Sequence, residues 1–219
     1  MKLKAAIFDL DGTILNSLND LHLTMNRVLK LSGYPEITLE TVTHLIGYGA
    51  KEFMRLSLPE HARDKETLDK NLLTYLELYN NFGMDNTVIY DGMEKVFDKL
   101  IANNIKIGVL SNKPHIATIK TIEKFLPQYN FNVILGQKDI FPPKPDTTSS
   151  LYLAKELGEN PSDIAFIGDA ETDVKAANNG GFFPITVLWG YRSKQELEAA
   201  GGKNFVNKPE EILKYFNLI

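Results

Sequence analysis

The chain has 219 residues, 43% of them hydrophobic and 24% charged, with a net charge of −4. That length can bury roughly 70% of the unfolded surface without staples. The balance excludes a disordered chain and a nucleic-acid binder held by backbone charge. The absence of cysteine excludes disulfides, thiolate nucleophiles and cysteine-ligated metals.

The four histidines show neither HxxxH nor HxxE spacing, so no zinc site is expected. No apolar run approaches the roughly eighteen residues that span a bilayer, and no membrane partner is expected. The apolar stretch behind the basic start of the chain stops at Asp9, too short for a signal-peptide core. The expectation is a cytoplasmic protein, monomer or homodimer.

Ala5-Ala6-Ile7-Phe8 reads as a buried strand ending at Asp9, followed by the turn composition Asp11-Gly12-Thr13. Residues 17 to 82 then read as all-helical. Ser17 is a candidate cap for a helix carrying Leu18, Leu21, Met25, Val28 and Leu29 at helical spacing. Thr38 is a candidate cap for a second helix, with Gly47 at its end. A third is expected from about Ala50 to Leu58, and a fourth from about Glu60 to Phe82. Beyond Tyr90-Asp91-Gly92, strand candidates at 105–110, 132–135, 164–167 and 184–188 alternate with helices near 93–103, 115–125, 146–157 and 171–179. A last helix is expected near 209–216. Such alternation implies right-handed crossovers and a parallel sheet. The reading is an α/β core of residues 1–15 and 86–219, interrupted by a helical insertion at 16–85. The hinges fall near 14–17 and 83–90.

In parallel α/β sheets the ligand site lies beyond the carboxyl ends of the strands. Those ends carry Asp9 and Asp11, Ser111-Asn112-Lys113, and Asp169 with Asp173; Lys144 precedes a helix leading back to the sheet. Each Asp alone could be a solvated turn residue or, for Asp173, a charge suited to a helix start. Their collection on one edge points to a site. Ionised carboxylates sharing a pocket require a cation or protonation, and an all-oxygen set favours Mg²⁺. A carboxylate can attack phosphorus to give an aspartyl-phosphate, and a second one nearby can serve as acid and base.

Phe8-Asp9-Leu10-Asp11-Gly12-Thr13 resembles the first motif of the haloacid dehalogenase superfamily phosphatases. Val109-Leu110-Ser111-Asn112-Lys113 resembles the second, Lys144-Pro145 the third, and Gly168-Asp169 through Asp173 the fourth. The resemblance implies a Rossmann-like parallel sheet ordered 3-2-1-4-5 with an inserted α-helical cap domain. It implies Asp9 as nucleophile and Asp11 as acid/base. Mg²⁺ would be held by Asp9, the Asp11 carbonyl and Asp169, with Asp173 on a bound water or behind the direct ligands. Thr13, Ser111, Asn112 and Lys144 would serve the phosphoryl group.

The insertion resembles the cap of the phosphoglycolate phosphatase branch, with Gly47-Tyr48-Gly49 approaching the substrate and Arg55 nearby. The third motif lacks its usual second proline, reading Lys144-Pro145-Asp146-Thr147, so a looser loop is expected. The implied reaction is Mg²⁺-dependent hydrolysis of a small phosphorylated metabolite, phosphoglycolate first among candidates. A β-phosphoglucomutase-like phosphotransferase and a non-catalytic phospho-acceptor module are the alternatives. A Rossmann nucleotide binder is disfavoured, because no glycine-rich loop follows the first strand.

Overall fold

A computed structural model describes residues 3–82 and 84–218; Met1, Lys2, Ile219 and Gly83, the last within the second expected hinge, lie outside them. The first strand, β1 (Ala5–Phe8), is wholly buried. It pairs in parallel with β4 (Lys106–Pro114) on one side and β6 (Ile164–Gly168) on the other. The sheet continues outward to β5 (Val133–Gln137) beyond β4, and to β7 (Phe183–Val187) and β8 (Phe205–Val206) beyond β6. The order β5-β4-β1-β6-β7 is the expected 3-2-1-4-5, extended by β8 at one edge. Both faces are covered, as an all-parallel sheet requires. Ala6 and Phe8 face a cluster that includes α5 (Met93–Ala102) and the 3-10 segment Pro209–Phe216. Ala5 and Ile7 face α7 (Thr148–Leu157) and α8 (Glu171–Gly180).

The insertion folds around its own apolar cluster, built from α1 (Leu18–Leu31), α2 (Leu39–Leu45), α3 (Ala50–Ser57) and α4 (Lys65–Phe82). Thr38 caps α2 as expected, its hydroxyl accepting from the Thr41 amide at 3.1 Å. Ser17 does not cap α1 with its side chain. Its hydroxyl donates instead to Asp11 at 2.5 Å, because a carboxylate is the stronger acceptor. The single helix expected from Glu60 is a 3-10 turn (Glu60–Ala62), a break, and then α4. Asp64 restarts the chain by accepting from the Thr67 amide at 3.0 Å.

The two chain crossings between helices and sheet pair as a short antiparallel ladder of β2 (Leu15–Asn16) and β3 (Val88–Ile89). Buried Asp20 fastens the return crossing, accepting from the Asn86 amide at 2.9 Å and the Thr87 hydroxyl at 2.6 Å.

Candidate active site

The carboxyl edge of the sheet opens into a cleft whose walls include both sheet ends and insertion helices. Asp9 follows β1 and Asp169 follows β6, so the pairing of β1 with β6 brings them together. Asp173 sits in the first turn of α8, where its Oδ2 accepts from the Ala170 amide at 3.1 Å. Carboxylate oxygens of Asp9, Asp169 and Asp173 all lie within 4.8 Å of one another, and all three residues are buried. Three glycines make room for this cluster, since a Cβ at Gly12 or Gly190 would collide with the Asp169 carboxyl and one at Gly168 with that of Asp173.

Lys144 lies among the acids. Its ammonium is 2.8 Å from Asp9 Oδ1 and 2.7 Å from Asp173 Oδ1, and it donates to the Leu110 carbonyl at 3.0 Å. These three partners match the three donors of an ammonium. The missing second proline has not loosened its loop. Asn112 Oδ1 accepts from the Lys144 amide at 2.8 Å, and Asn112 Nδ2 donates to the Lys144 carbonyl at 3.0 Å. Asp146 accepts from the Thr148 amide at 2.8 Å and fixes the entry to α7.

The electrostatics suit a cation or protonation of the acids. Burial, with the Asp173 charge added, pushes the Asp9 carboxyl up to about 8. The same causes push Asp169 up to about 7, against the Tyr191 amide and Thr13 hydroxyl that favour its ionised form. Three close carboxyls with no nitrogen or sulfur ligand suit a hard divalent ion, whose charge reverses such shifts.

Asp11 stands apart from the cluster. Lys113 Nζ contacts both its oxygens, at 3.0 and 3.1 Å, and also donates to the Tyr79 hydroxyl on α4 at 2.8 Å. Ser17 completes the set, and its own amide donates to the Tyr191 hydroxyl at 2.9 Å. The expected acid/base thus sits in a network joining sheet and insertion.

The other expected residues divide. Ser111 lines the cleft and its Oγ accepts from the Lys113 amide at 3.2 Å. Asn112 lines it too, but its amide is engaged with Lys144 and the Gly47 carbonyl. Thr13 is fully buried and donates to Asp169 Oδ1 at 3.1 Å, so it positions an acid. Gly47 and Gly49 both line the cleft with φ of 101° and 91°. Tyr48 and Arg55 are not among the lining residues, and Arg55 is paired with Glu52 at 2.6 Å.

Sequence reasoning missed Arg192. It is buried, pairs with Glu171 at 3.0 Å, and donates to the carbonyls of Thr43 and Ile46 at the end of α2. Its place after the aromatic segment Trp189-Gly190-Tyr191 was the only signal.

Residues 6–187 match the sequence profile of the haloacid dehalogenase-like hydrolases, a span that runs from β1 through β7 and holds both acid-bearing turns. The chain belongs to that family. This hydrolase is 27% identical over 197 residues to the phosphoglycolate phosphatase of Psychrobacter arcticus, covering 87% of the chain and 86% of the relative. It is 26% identical to the phosphoglycolate phosphatase of Chromobacterium violaceum, covering 97% of each. A crystal structure from Lactobacillus delbrueckii subsp. bulgaricus, provisionally named a phosphoglycolate phosphatase, superposes with a TM-score of 0.91 at 27% identity over 99% of both chains. Among the described residues, no helix is long and apolar enough to cross a membrane.

Proposed function

We propose that this hydrolase is a Mg²⁺-dependent phosphatase that releases phosphate from a small phosphorylated metabolite through an aspartyl-phosphate on Asp9. The carrying observation is the pair of differently held carboxyls. Asp9 lies in the acid cluster against Lys144, and Asp11 lies two residues on, outside that cluster and bound to Ser17 and Lys113. That difference supports a division of roles, one carboxylate to attack phosphorus and the other to move a proton.

In the proposed sequence an oxygen of Asp9 attacks phosphorus in line with the ester oxygen. Asp11 gives its proton to the departing alkoxide. The Asp11 carboxylate then takes a proton from water, which attacks the aspartyl-phosphate and restores Asp9. Lys144 keeps the Asp9 carboxyl oriented, and Ser111 lies in the cleft to bind the phosphoryl oxygens. Mg²⁺ held by Asp9, Asp169 and Asp173, with the Asp11 carbonyl as a further ligand, would offset the negative charge of acids and phosphate together.

Residues 16–85 act as a cap domain over a core of 1–15 and 86–219. Support comes from their separate apolar cluster and from Gly47 and Gly49 beside the cleft. Phosphoglycolate, named for the bacterial relatives, is the first ester to test.

The experiment is phosphate release from 4-nitrophenyl phosphate with Mg²⁺, with EDTA, and with EDTA followed by excess Mg²⁺. Release that EDTA stops and Mg²⁺ restores supports the reading. Unchanged release in EDTA contradicts the metal, and no release in any arm contradicts the phosphatase.

A further inference from the structure

We propose that Tyr75 selects the leaving group: its hydroxyl donates a hydrogen bond to an acceptor oxygen there, so the cleft prefers phosphate esters that carry one. This rests on the phosphatase reading and names a specificity-determining residue of the same site.

Tyr75 lies on α4, is 4% exposed and lines the cleft. Its ring is held on two sides. The Phe53 ring of α3 meets it edge-on at 5.9 Å, and the Tyr79 ring, one turn further along α4, stacks on it at 6.0 Å. Yet the Tyr75 hydroxyl has no hydrogen-bond partner among the described residues. The closed-off side-chain oxygens without a partner are Asn80 Oδ1 and Thr186 Oγ1. The Tyr75 oxygen is not one of them, so it opens onto the cleft that its residue lines. A ring fixed by its neighbours presents that hydroxyl with little rotamer freedom left to lose on binding.

Nearby polar groups of the cleft are already committed. The Tyr79 hydroxyl accepts from Lys113, the Tyr191 hydroxyl accepts from the Ser17 amide, and Asn112 Nδ2 donates to the Gly47 and Lys144 carbonyls. Burial, with Tyr79 and Asp11 close by, keeps the Tyr75 hydroxyl protonated, so it faces the cleft as a donor. Its nearness to Asp11 puts it on the side where the leaving oxygen takes its proton. Gly49 and Ala50 line the same cleft, and no side chain caps the first amides of α3. Those amides are donors as well. An acceptor oxygen on the leaving group, neutral or anionic, thus meets donors from two helices, while Leu21, Phe53 and Leu76 line the way for its carbon chain. An ester with a methylene in that place leaves the Tyr75 donor unmet.

The test measures kcat/KM with Mg²⁺ on the native chain and on Tyr75→Phe for two matched pairs of esters. These are 2-methoxyethyl against butyl phosphate and 3-methoxypropyl against pentyl phosphate. Within a pair the esters differ by one ether oxygen in place of a methylene, and the two pairs set that oxygen at two distances from phosphorus. The native chain is expected to favour the ether by about threefold or more in at least one pair, and Tyr75→Phe to lower that ratio by about fivefold. A ratio taken on one preparation does not depend on how much of it is folded. The hydroxyl bonds to nothing in the fold, so the melting temperature of Tyr75→Phe is expected to match that of the native chain. A native chain that favours the ether in neither pair would overturn the proposal, and that comparison needs no variant. So would a Tyr75→Phe chain that keeps the ether preference. Native turnover of 4-nitrophenyl phosphate separates the two levels. Activity there without an ether preference defeats this inference alone, whereas silence there defeats the phosphatase reading and this inference with it.

Discussion

Replacing Arg192 with Met should separate the insertion's grip on the site from the fold of the sheet. Arg192 is 5% exposed, and it joins the loop after β7 to the carbonyls of Thr43, His44 and Ile46, directly before the Gly47–Gly49 segment beside the acids. Methionine keeps much of the packing volume but donates no hydrogen bond. The Thr43 and Ile46 carbonyls lose charge-assisted donors worth about 1.5–3 kcal/mol each. Glu171, with a partly exposed side chain, loses its partner at a smaller, solvent-screened cost.

The total is about 3–6 kcal/mol, overlapping the range for breaking a buried ionic contact. If insertion and sheet unfold together, the melting temperature falls by on the order of 6–24 °C. If the loss falls mainly on closure over the site, melting changes little. Instead kcat/KM falls on the order of tenfold, and amide exchange rises around Gly47–Gly49. Calorimetry, kinetics on 4-nitrophenyl phosphate and hydrogen exchange on one preparation distinguish the two. Melting within 1–2 °C of the native chain, kinetics within about twofold and unchanged exchange would refute the reasoning, because the lost bonds would then carry almost none of their assigned energy.

Three further outcomes follow from the site. Asp11→Asn should slow an alkyl phosphate far more than 4-nitrophenyl phosphate, since an alkoxide needs a proton in the transition state and a nitrophenolate does not; equal losses would remove the acid role. Gly49→Val should cut kcat/KM by about tenfold, because Gly49 has φ 91° and ψ 160°, a region nearly restricted to glycine, and a Cβ there would sit 3.2 Å from the Asn112 carbonyl; native kinetics would show that the segment tolerates side chains. Metal-free protein should lose stability as pH rises from about 4 to about 8. Asp9 and Asp169, raised to about 8 and about 7, stay protonated when folded in a range where the unfolded chain has released its protons. Denaturant titrations should show that slope flattened by excess Mg²⁺, and a metal-free stability flat across the range would contradict the buried-acid account.

Much of this was legible in the residues. A short apolar run ending in Asp9 is enough to place a strand and its acidic end, and alternation with helices is enough to make the sheet parallel. β1 and β6 are neighbours, as the resemblance implied, so Asp9 and Asp169 meet. Other features escaped for physical reasons. Ser17 has the composition of a cap, but the Asp11 carboxylate outcompetes the backbone for its hydroxyl. The break before α4 carries no glycine or proline between Ala62 and Lys65 to announce it; Arg63 turns back to the Leu58 carbonyl at 2.9 Å. β8 spans only Phe205–Val206, too short for alternation to register. Asn112 and Thr13 have the chemistry to bind phosphate, yet they hold Lys144 and Asp169 in place. Arg192 bonds to backbone carbonyls 146 to 149 residues away, and no local pattern encodes such partners.

The most direct test of the account is to find where the phosphoryl group rests during turnover. The chain is mixed with Mg²⁺ and a phosphate ester labelled in its phosphorus, quenched in acid within a turnover, and digested for mass spectrometry. The account predicts label on the peptide containing Asp9, appearing no more slowly than free phosphate and absent from Asp9→Asn. Label on another residue, or native-like turnover by a folded Asp9→Asn chain, would contradict it.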